Sequence, residues 1–167
     1  MRTYLVQKMS EETDNNPPDH FLEDFLNPQS IAIYGANQNL LGNMGSQQLL
    51  NIIDSGYSGN VYPIHLKLKR VFGKKAYASI ADVPEVPDLV IVILPAKIVP
   101  GIFEELGQKG VKNVVLVTAG FREVENPEGE KKIAQIAQRY GIRFMGPNCL
   151  GFLNNHVRTN SNPDSDD

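Results

Sequence analysis

Apolar residues along this chain alternate between two kinds of pattern. Short, mostly apolar runs stand at 31–34, 61–64, 88–94, 113–118 and 142–145. Runs of that length fit strands buried on both faces. Between them, apolar residues recur at three- and four-residue spacing. Leu49, Ile52 and Ile53 form one set. Ile98, Val99, Ile102, Phe103 and Leu106 form a second, and Ile133, Ile136, Ala137 and Tyr140 a third. Each set is one face of a helix. The first helix is expected over about 44–55 and stops at Gly56. The second leaves through Gly107 and Gly110. The third opens at Pro127-Glu128, with acid where the helix dipole favours it, and ends at Gly141.

Smaller features complete the pattern. Phe21, Leu22, Phe25 and Leu26 have helical spacing, with Asp19 as N-cap and Asn27-Pro28 as the stop. This short helix is expected to pack against the sheet edge. Pro63 predicts the C-terminal end of its strand or an irregular edge. Residues 79–83 read as a single turn, and 75–77 allow a short strand. Strands alternating with helices give an α/β fold: a Rossmann-like, doubly wound, mainly parallel sheet with helices on both faces. Residues 1–20 are expected to form a mobile polar arm, 21–155 one domain, and 156–167 a polar acidic tail.

Composition narrows the function. At 167 residues and 41% hydrophobic, the chain suits one domain with a sizeable core. A formal charge of -3 argues against a general nucleic-acid surface. No apolar run reaches the ~18 residues of a membrane span, and the first twenty residues lack a secretory signal pattern. The one cysteine, Cys149, cannot form an internal disulfide. A cytoplasmic protein is expected, with neither nucleic acid nor membrane as partner. No metal-ligand spacing appears.

Ligands of doubly wound sheets sit beyond the carboxyl ends of the strands. Those ends read Gly35-Ala36-Asn37, His65-Leu66-Lys67, Leu94-Pro95-Ala96, Thr118-Ala119-Gly120 and Gly146-Pro147-Asn148. The first opens SIAIYGANQNLLGNMGS (30–46), a strand, a glycine-bearing loop and a helix start. That sequence of elements suits a phosphate, because glycine lets the backbone approach and the first helical turn offers free N–H groups. It departs from G-x-G-x-x-G, since Asn37 stands where the second glycine belongs. The half Gly42-Asn43-Met44-Gly45 is intact, and Gly45 lies on the helix face of Leu49. The same residues also fit a turn and a packing glycine with no ligand. A nicotinamide dinucleotide wants an acid after the second strand, for the ribose hydroxyl. Here that end carries His65 and Lys67, followed by Lys69 and Arg70. Cations suit a phosphate on the ribose, as in NADP or coenzyme A. They also fit a solvated loop.

Five stretches in order carry a resemblance. They are Asn27-Pro28-Gln29-Ser30-Ile31-Ala32-Ile33-Tyr34-Gly35-Ala36, Gly59-Asn60-Val61-Tyr62-Pro63, Ile93-Leu94-Pro95-Ala96, Val117-Thr118-Ala119-Gly120-Phe121 and Gly146-Pro147-Asn148-Cys149-Leu150-Gly151. Over about residues 22–155 the chain resembles the N-terminal CoA-binding domain of nucleoside-diphosphate-forming acyl-CoA synthetases. It is more distantly similar to the succinyl-CoA synthetase alpha subunit. The resemblance implies coenzyme A as the cofactor, bound through Gly35, Ala36, Asn37 and the loop Gly42, Asn43, Met44, Gly45. It implies Lys67 near the ribose phosphate, as the lysine of a family Asn-Pro-Lys motif that here reads His65-Leu66-Lys67. It places Leu94, Pro95 and Ala96 along the adenine and pantetheine. Gly120 and Asn148 would face the acyl phosphate and the phosphohistidine.

The same resemblance puts the catalytic histidine in a following domain, so no residue of this chain is assigned catalysis. His20, His65 and His156 read as surface histidines, His65 being the one placed near a ligand phosphate. Cys149 has no nearby histidine or acid in sequence and reads as an inert thiol. Three functions remain open. The chain could be the CoA-binding module of a synthetase, or of a protein acetyltransferase with the same domain, and partnered by further domains or subunits. It could be a free-standing CoA-binding or sensing protein. It could be the NAD(P)-binding domain of an oxidoreductase or redox sensor.

Overall fold

The apolar runs become one five-stranded parallel sheet in the computed structural model, which describes residues 23–121, 127–151, 153–154 and 159–160. In chain order the elements begin α1 (Glu23–Leu26), β1 (Ser30–Tyr34), α2 (Met44–Asp54), β2 (Asn60–Ile64), β3 (Arg70–Val71) and β4 (Lys74–Lys75). They continue β5 (Leu89–Val92), α3 (Val99–Lys109), β6 (Asn113–Leu116), α4 (Pro127–Tyr140), β7 (Arg143–Met145), β8 (Leu153–Asn154) and β9 (Thr159–Asn160). The large sheet has the order β2-β1-β5-β6-β7. Its pairs are all parallel, with Ile33 opposite Ile91 and Ile91 opposite Val115. The chain moves outward from β1 to β2, then returns to lay β5 on the other side of β1. The crevice between β1 and β5 is therefore the point where the winding reverses, and where such sheets bind ligands.

Alternate residues of each strand enter two different cores. Ile31, Ile33, Leu89, Ile91, Val115 and Val117 face the layer containing Leu49 and Ile52 of α2. Ala32, Tyr34, Val90, Val92, Val114 and Leu116 face the layer containing Phe103 and Leu106 of α3 and Ile133 and Ile136 of α4. Both layers are needed because strands covered on two faces leave no solvent side. Burying each large side chain contributes roughly 1.5–3 kcal/mol.

The N-terminal end of the sheet is tied shut. Asp88 Oδ2 accepts from Gln29 N at 2.8 Å, Ser30 N at 3.0 Å and Ser30 Oγ at 3.2 Å. Ser30 Oγ in turn accepts from Asp88 N at 3.0 Å. Asn113 Nδ2 donates to Asp88 O at 2.9 Å. The starts of β1, β5 and β6 are thus joined through side chains as well as the ladder.

Several expectations change. The runs 88–94, 113–118 and 142–145 pair over the shorter spans 89–92, 113–116 and 143–145, with Ile93 N and Val117 N each still donating across to the neighbouring strand. Ile98 is 41% exposed and belongs to no core layer; it lies in a single 3-10 turn, Ala96–Ile98, ahead of α3. Gly107 lies in the last turn of α3, as expected, and has a packing role besides. A Cβ there would lie 2.2 Å from Tyr140 Cγ, so Gly107 lets α3 and α4 pack closely. Phe25 of α1 is 4% exposed and sits in the α2-side core rather than on a sheet edge.

Residues 70–75 form a small antiparallel hairpin, β3 with β4, where at most one short strand was expected. Pro63 does lie on an edge strand. Its carbonyl accepts from Tyr77 N at 3.0 Å on the outer side of β2, so the N–H it lacks also faces outward. Residues 79–83 hold the expected turn, capped by Ser79. The 1–20 arm, Asp19, His20, Phe21, Leu22, His156 and the tail from 161 fall outside the described residues.

Candidate functional site

Glycine builds the crevice at the end of β1. Gly35 has φ +96, and a Cβ there would lie 2.1 Å from Ile93 O. No L-residue with a side chain fits between β1 and the end of β5. Gly45, in the first turn of α2, is as tightly placed. Its Cβ would lie 2.6 Å from Gly35 C and 2.8 Å from Ala36 N. The start of α2 thus rests directly on the backbone of the β1 turn. Asn43 is the N-cap, and its Oδ1 accepts from Ser46 N at 2.7 Å. The N–H groups of Met44 and Gly45 have no acceptor within the helix, as at any helix start.

The loop between β1 and α2 is pinned by a buried hydroxyl. Ser46 Oγ donates to Asn37 O at 3.0 Å and accepts from Asn37 N at 3.0 Å. Asn37 Oδ1 accepts from Asn39 N at 2.6 Å, closing the loop on itself. Gln38 Nε2 reaches across to Arg70 O at 3.1 Å and joins this loop to the one after β2. Gly42 has φ +73 with open space around it, so it serves the turn and nothing packs on it. Ala36 is 1% exposed and its side chain lies in the α2-side core.

Two clefts open along the C-terminal edge and share Leu94. The larger has a volume of about 450 Å³. Its walls are Tyr34, Ile64, Leu94, Ile98 and Ile102, and its lip carries Gly35, Asn37, His65 and Lys67. Among the described residues no carboxylate lines it, and the one formal charge they bring to it is the exposed Lys67. The Tyr34 phenol is pushed far above its ordinary range, by burial first and the Glu105 carboxylate second, and stays neutral. His65 is half-buried, and its Nδ1 accepts from Lys67 N at 3.1 Å and Leu68 N at 3.0 Å.

The smaller cleft, about 320 Å³, lies between the ends of β5, β6 and β7. Met44, Leu94, Pro95, Thr118, Asn148 and Cys149 line it. Thr118 Oγ1 donates to Leu94 O at 2.8 Å and accepts from Leu94 N at 3.2 Å, holding the two strand ends together. Asn148 has φ 56, and its N donates to Thr118 O at 3.0 Å. A Cβ on Gly120 would lie 3.4 Å from Ala96 Cβ, so these two loops are neighbours. Cys149 Sγ donates to Leu116 O at 3.5 Å, and burial raises the thiol above its ordinary pKa. That is the opposite of an activated nucleophile.

The expected residues therefore divide. Gly35, Asn37, Lys67 and Leu94 meet at the larger cleft; Met44, Leu94, Pro95 and Asn148 meet at the smaller. Asn43 and Gly45 build the helix start between them, while Ala36 is structural. Sequence reasoning missed Ser46, Thr118 and the wall residues Tyr34, Ile64, Ile98 and Ile102. Asn43 is a readable N-cap, but the tie from Ser46 three residues on to Asn37 carries no sequence signal of its own. Thr118 closes an apolar run without any such signal.

A parallel sheet with a glycine-built crevice, a capped helix start and a cationic lip defines a nucleotide-cofactor-binding α/β domain. Comparison with known proteins makes it specific. Residues 29–155 match the family described as CoA binding domain, and the chain belongs to that family.

The chain is 44% identical over 143 residues to an ADP-forming acetate–CoA ligase of Methanocaldococcus jannaschii, covering 86% of this chain and 20% of that protein. It is 40% identical over 142 residues to the alpha subunit of ADP-forming acetate–CoA ligase II of Pyrococcus furiosus, covering 84% and 31%. Among solved structures, the dinucleotide-forming acetyl-coenzyme A synthetase 1 of Ca. Korarchaeum cryptofilum, in complex with phosphate and ADP, superposes with a TM-score of 0.82 at 37% identity. It covers 85% of this chain and 30% of that one. The chain is thus homologous to the N-terminal CoA-binding part of ADP-forming acyl-CoA synthetases and spans less than a third of the length of these relatives.

Proposed function

We propose that the C-terminal edge of the sheet binds coenzyme A or an acyl-CoA, as the CoA-binding unit of an ADP-forming acyl-CoA synthetase-type protein. In this reading the nucleotide lies in the larger cleft, with its ribose phosphate at Lys67. The diphosphate lies over the start of α2, where the helix dipole and free N–H groups favour negative charge. The pantetheine arm passes Leu94, Pro95 and Ala96 into the smaller cleft. Its thiol or acyl end comes to Gly120 and Asn148. The observation that carries this reading is the pair of clefts joined at Leu94. Among the described residues, one has a lone cation and no carboxylate, and the other is neutral. A long ligand with a phosphorylated head and an uncharged arm suits that arrangement.

Binding is this segment's part; phosphoryl and acyl transfer fall to other segments or subunits of the synthetase. Leu41 and Leu66, 90% and 85% exposed on the two loops flanking the larger cleft, support a neighbouring domain closing over the bound ligand. No helix among the described residues is long and apolar enough to cross a membrane. With its one free cysteine, the protein fits the reducing cytoplasm. Calorimetry with CoA, NADP and NAD tests the reading. CoA should bind measurably and NAD poorly, because no acid follows β2 to take a ribose hydroxyl. Tighter binding of NAD than of CoA would overturn it.

A further inference from the structure

We propose that His65 is the positioning residue for Lys67, working as the neutral imidazole that carries its proton on Nε2. This rests on the CoA reading only for what Lys67 touches. The backbone N–H groups of Lys67 and Leu68 both converge on His65 Nδ1. An imidazole nitrogen accepts only when it bears no proton, so the neutral ring must carry its proton on Nε2. The two main-chain donors thereby set the tautomer.

This geometry is that of an Asx turn, in which an asparagine or aspartate oxygen accepts from N–H groups just ahead. Asn Oδ1 and His Nδ1 are the same number of bonds from Cβ, so one can replace the other without moving the backbone. The sequence Asn-Pro expected here is His65-Leu66 instead. A proline would have fixed φ at residue 66; leucine does not. Leu66 is 85% exposed and Lys67 is exposed as well, so neither side chain holds the loop by packing. The base of the loop is anchored, since His65 N donates to Tyr77 O at 2.8 Å. Beyond it, Gln38 Nε2 holds Arg70 O. Leu68 packs on the α2-side core and Lys69 O accepts from Ala76 N at 2.9 Å, so Nδ1 restrains the stretch left between His65 and Leu68, that is Leu66 and Lys67. The ring also lines the same cleft as Lys67.

The test has two parts on the full chain. Nitrogen NMR of the unliganded protein reads the tautomer, and His65→Asn identifies the signal among the three histidines. The expected result is Nε2–H with a bare Nδ1. Amide exchange at Lys67 and Leu68 should be as slow in His65→Asn as in wild type, and faster in His65→Ala. His65→Gln has no acceptor at the Nδ1 position and should behave as His65→Ala does. In titrations, wild type should prefer CoA to dephospho-CoA by about ten- to a hundredfold, the value of a charge-assisted phosphate contact. His65→Asn should keep most of that preference, and His65→Ala and His65→Gln should bring it close to one. A protonated Nδ1, or unchanged exchange and preference in His65→Ala and His65→Gln, would overturn the proposal. If wild type keeps the tautomer and exchange pattern but binds neither ligand, the CoA reading falls while the assignment of His65 as the loop's acceptor is upheld.

Discussion

At the N-terminal end of the sheet, Asp88 takes hydrogen bonds from Gln29 and Ser30, and Asn113 closes onto its carbonyl. Polar side chains there are spent on one another. At the C-terminal end, the strands give way to Gly35 and Gly146, whose missing Cβ atoms would lie 2.1 Å from the carbonyls of Ile93 and Leu116. Backbones meet there without side chains between them, and the polar groups of the lip are left facing a cleft. One end is built to hold, the other to admit a ligand. The same separation recurs in parallel α/β folds, where side chains at strand N-termini serve stability and loops at their C-termini serve chemistry.

The contrast can be broken most strongly at the glycine end. Gly35→Ala puts a methyl group against Ile93 O in a backbone conformation that alanine rarely adopts. The cost should exceed the roughly 1–3 kcal/mol of ordinary overpacking. Gly45→Val should cost about as much, by lifting α2 off the β1 turn. At this chain length each 1 kcal/mol lowers Tm by roughly 2–4 °C. Both variants should lose stability and CoA binding together. An unchanged melting curve for Gly45→Val would place that residue off the buried face of α2.

A change at the opposite end should separate the two properties. Asp88→Ala leaves the N–H groups of Gln29 and Ser30 without their acceptor, at about 1–3 kcal/mol for a buried group left unpaired. Tm should fall, while the CoA affinity of the folded protein stays as it was. A matching loss of affinity in calorimetry, well below the melting range, would mean that the two ends are coupled.

The smallest effect is expected at Glu85, exposed beside the N-terminal end of the sheet, where it accepts from Asn60 at the start of β2. The Tyr62 hydroxyl, and after it the Asn60 amide, hold its carboxyl below the ordinary value of 4.5. A lowered folded pKa gives stability that is complete above the unfolded value and is lost as pH falls through the folded one. Tyr62→Phe should therefore flatten the acid limb of the stability curve below about pH 4.5. At so exposed a site the change at neutral pH should stay under ~1 kcal/mol. Acid melts of the two proteins compare them directly: the gap between them should close as pH falls, and a gap as large in acid as at neutral pH would contradict the ion's role.

The sheet was legible in the sequence because five apolar runs cannot all be buried unless helices cover both faces. Its functional edge was legible only in part. Ile93 and Leu94 extend the β5 run in sequence, yet they lie past its end and wall a cleft. Ile98 keeps helical spacing with Ile102, yet Ile98 lines that cleft and joins no core layer, while Ile102 both lines it and packs on the α3-side core. A wall built for an apolar ligand gives the same pattern as a core. Gly45 was legible because its spacing to Leu49 fixed its face on the helix. His65 was not, since its role depends on which ring nitrogen meets two main-chain donors, and no residue pattern encodes that.

Lys67 carries the central claim, because it supplies the one formal charge that the described residues bring to the larger cleft. Its ammonium is a point charge on a flexible stem, suited to a phosphate without a fixed fork. The decisive measurement is a two-by-two titration of wild type and Lys67→Ala against CoA and dephospho-CoA. Recognition of the ribose phosphate by Lys67 predicts that the variant loses about ten- to a hundredfold in CoA affinity and little for dephospho-CoA. The preference between the ligands should then collapse, and added salt should shrink it in wild type. Equal losses for both ligands would contradict it and move the phosphate contact to Lys69 or Arg70.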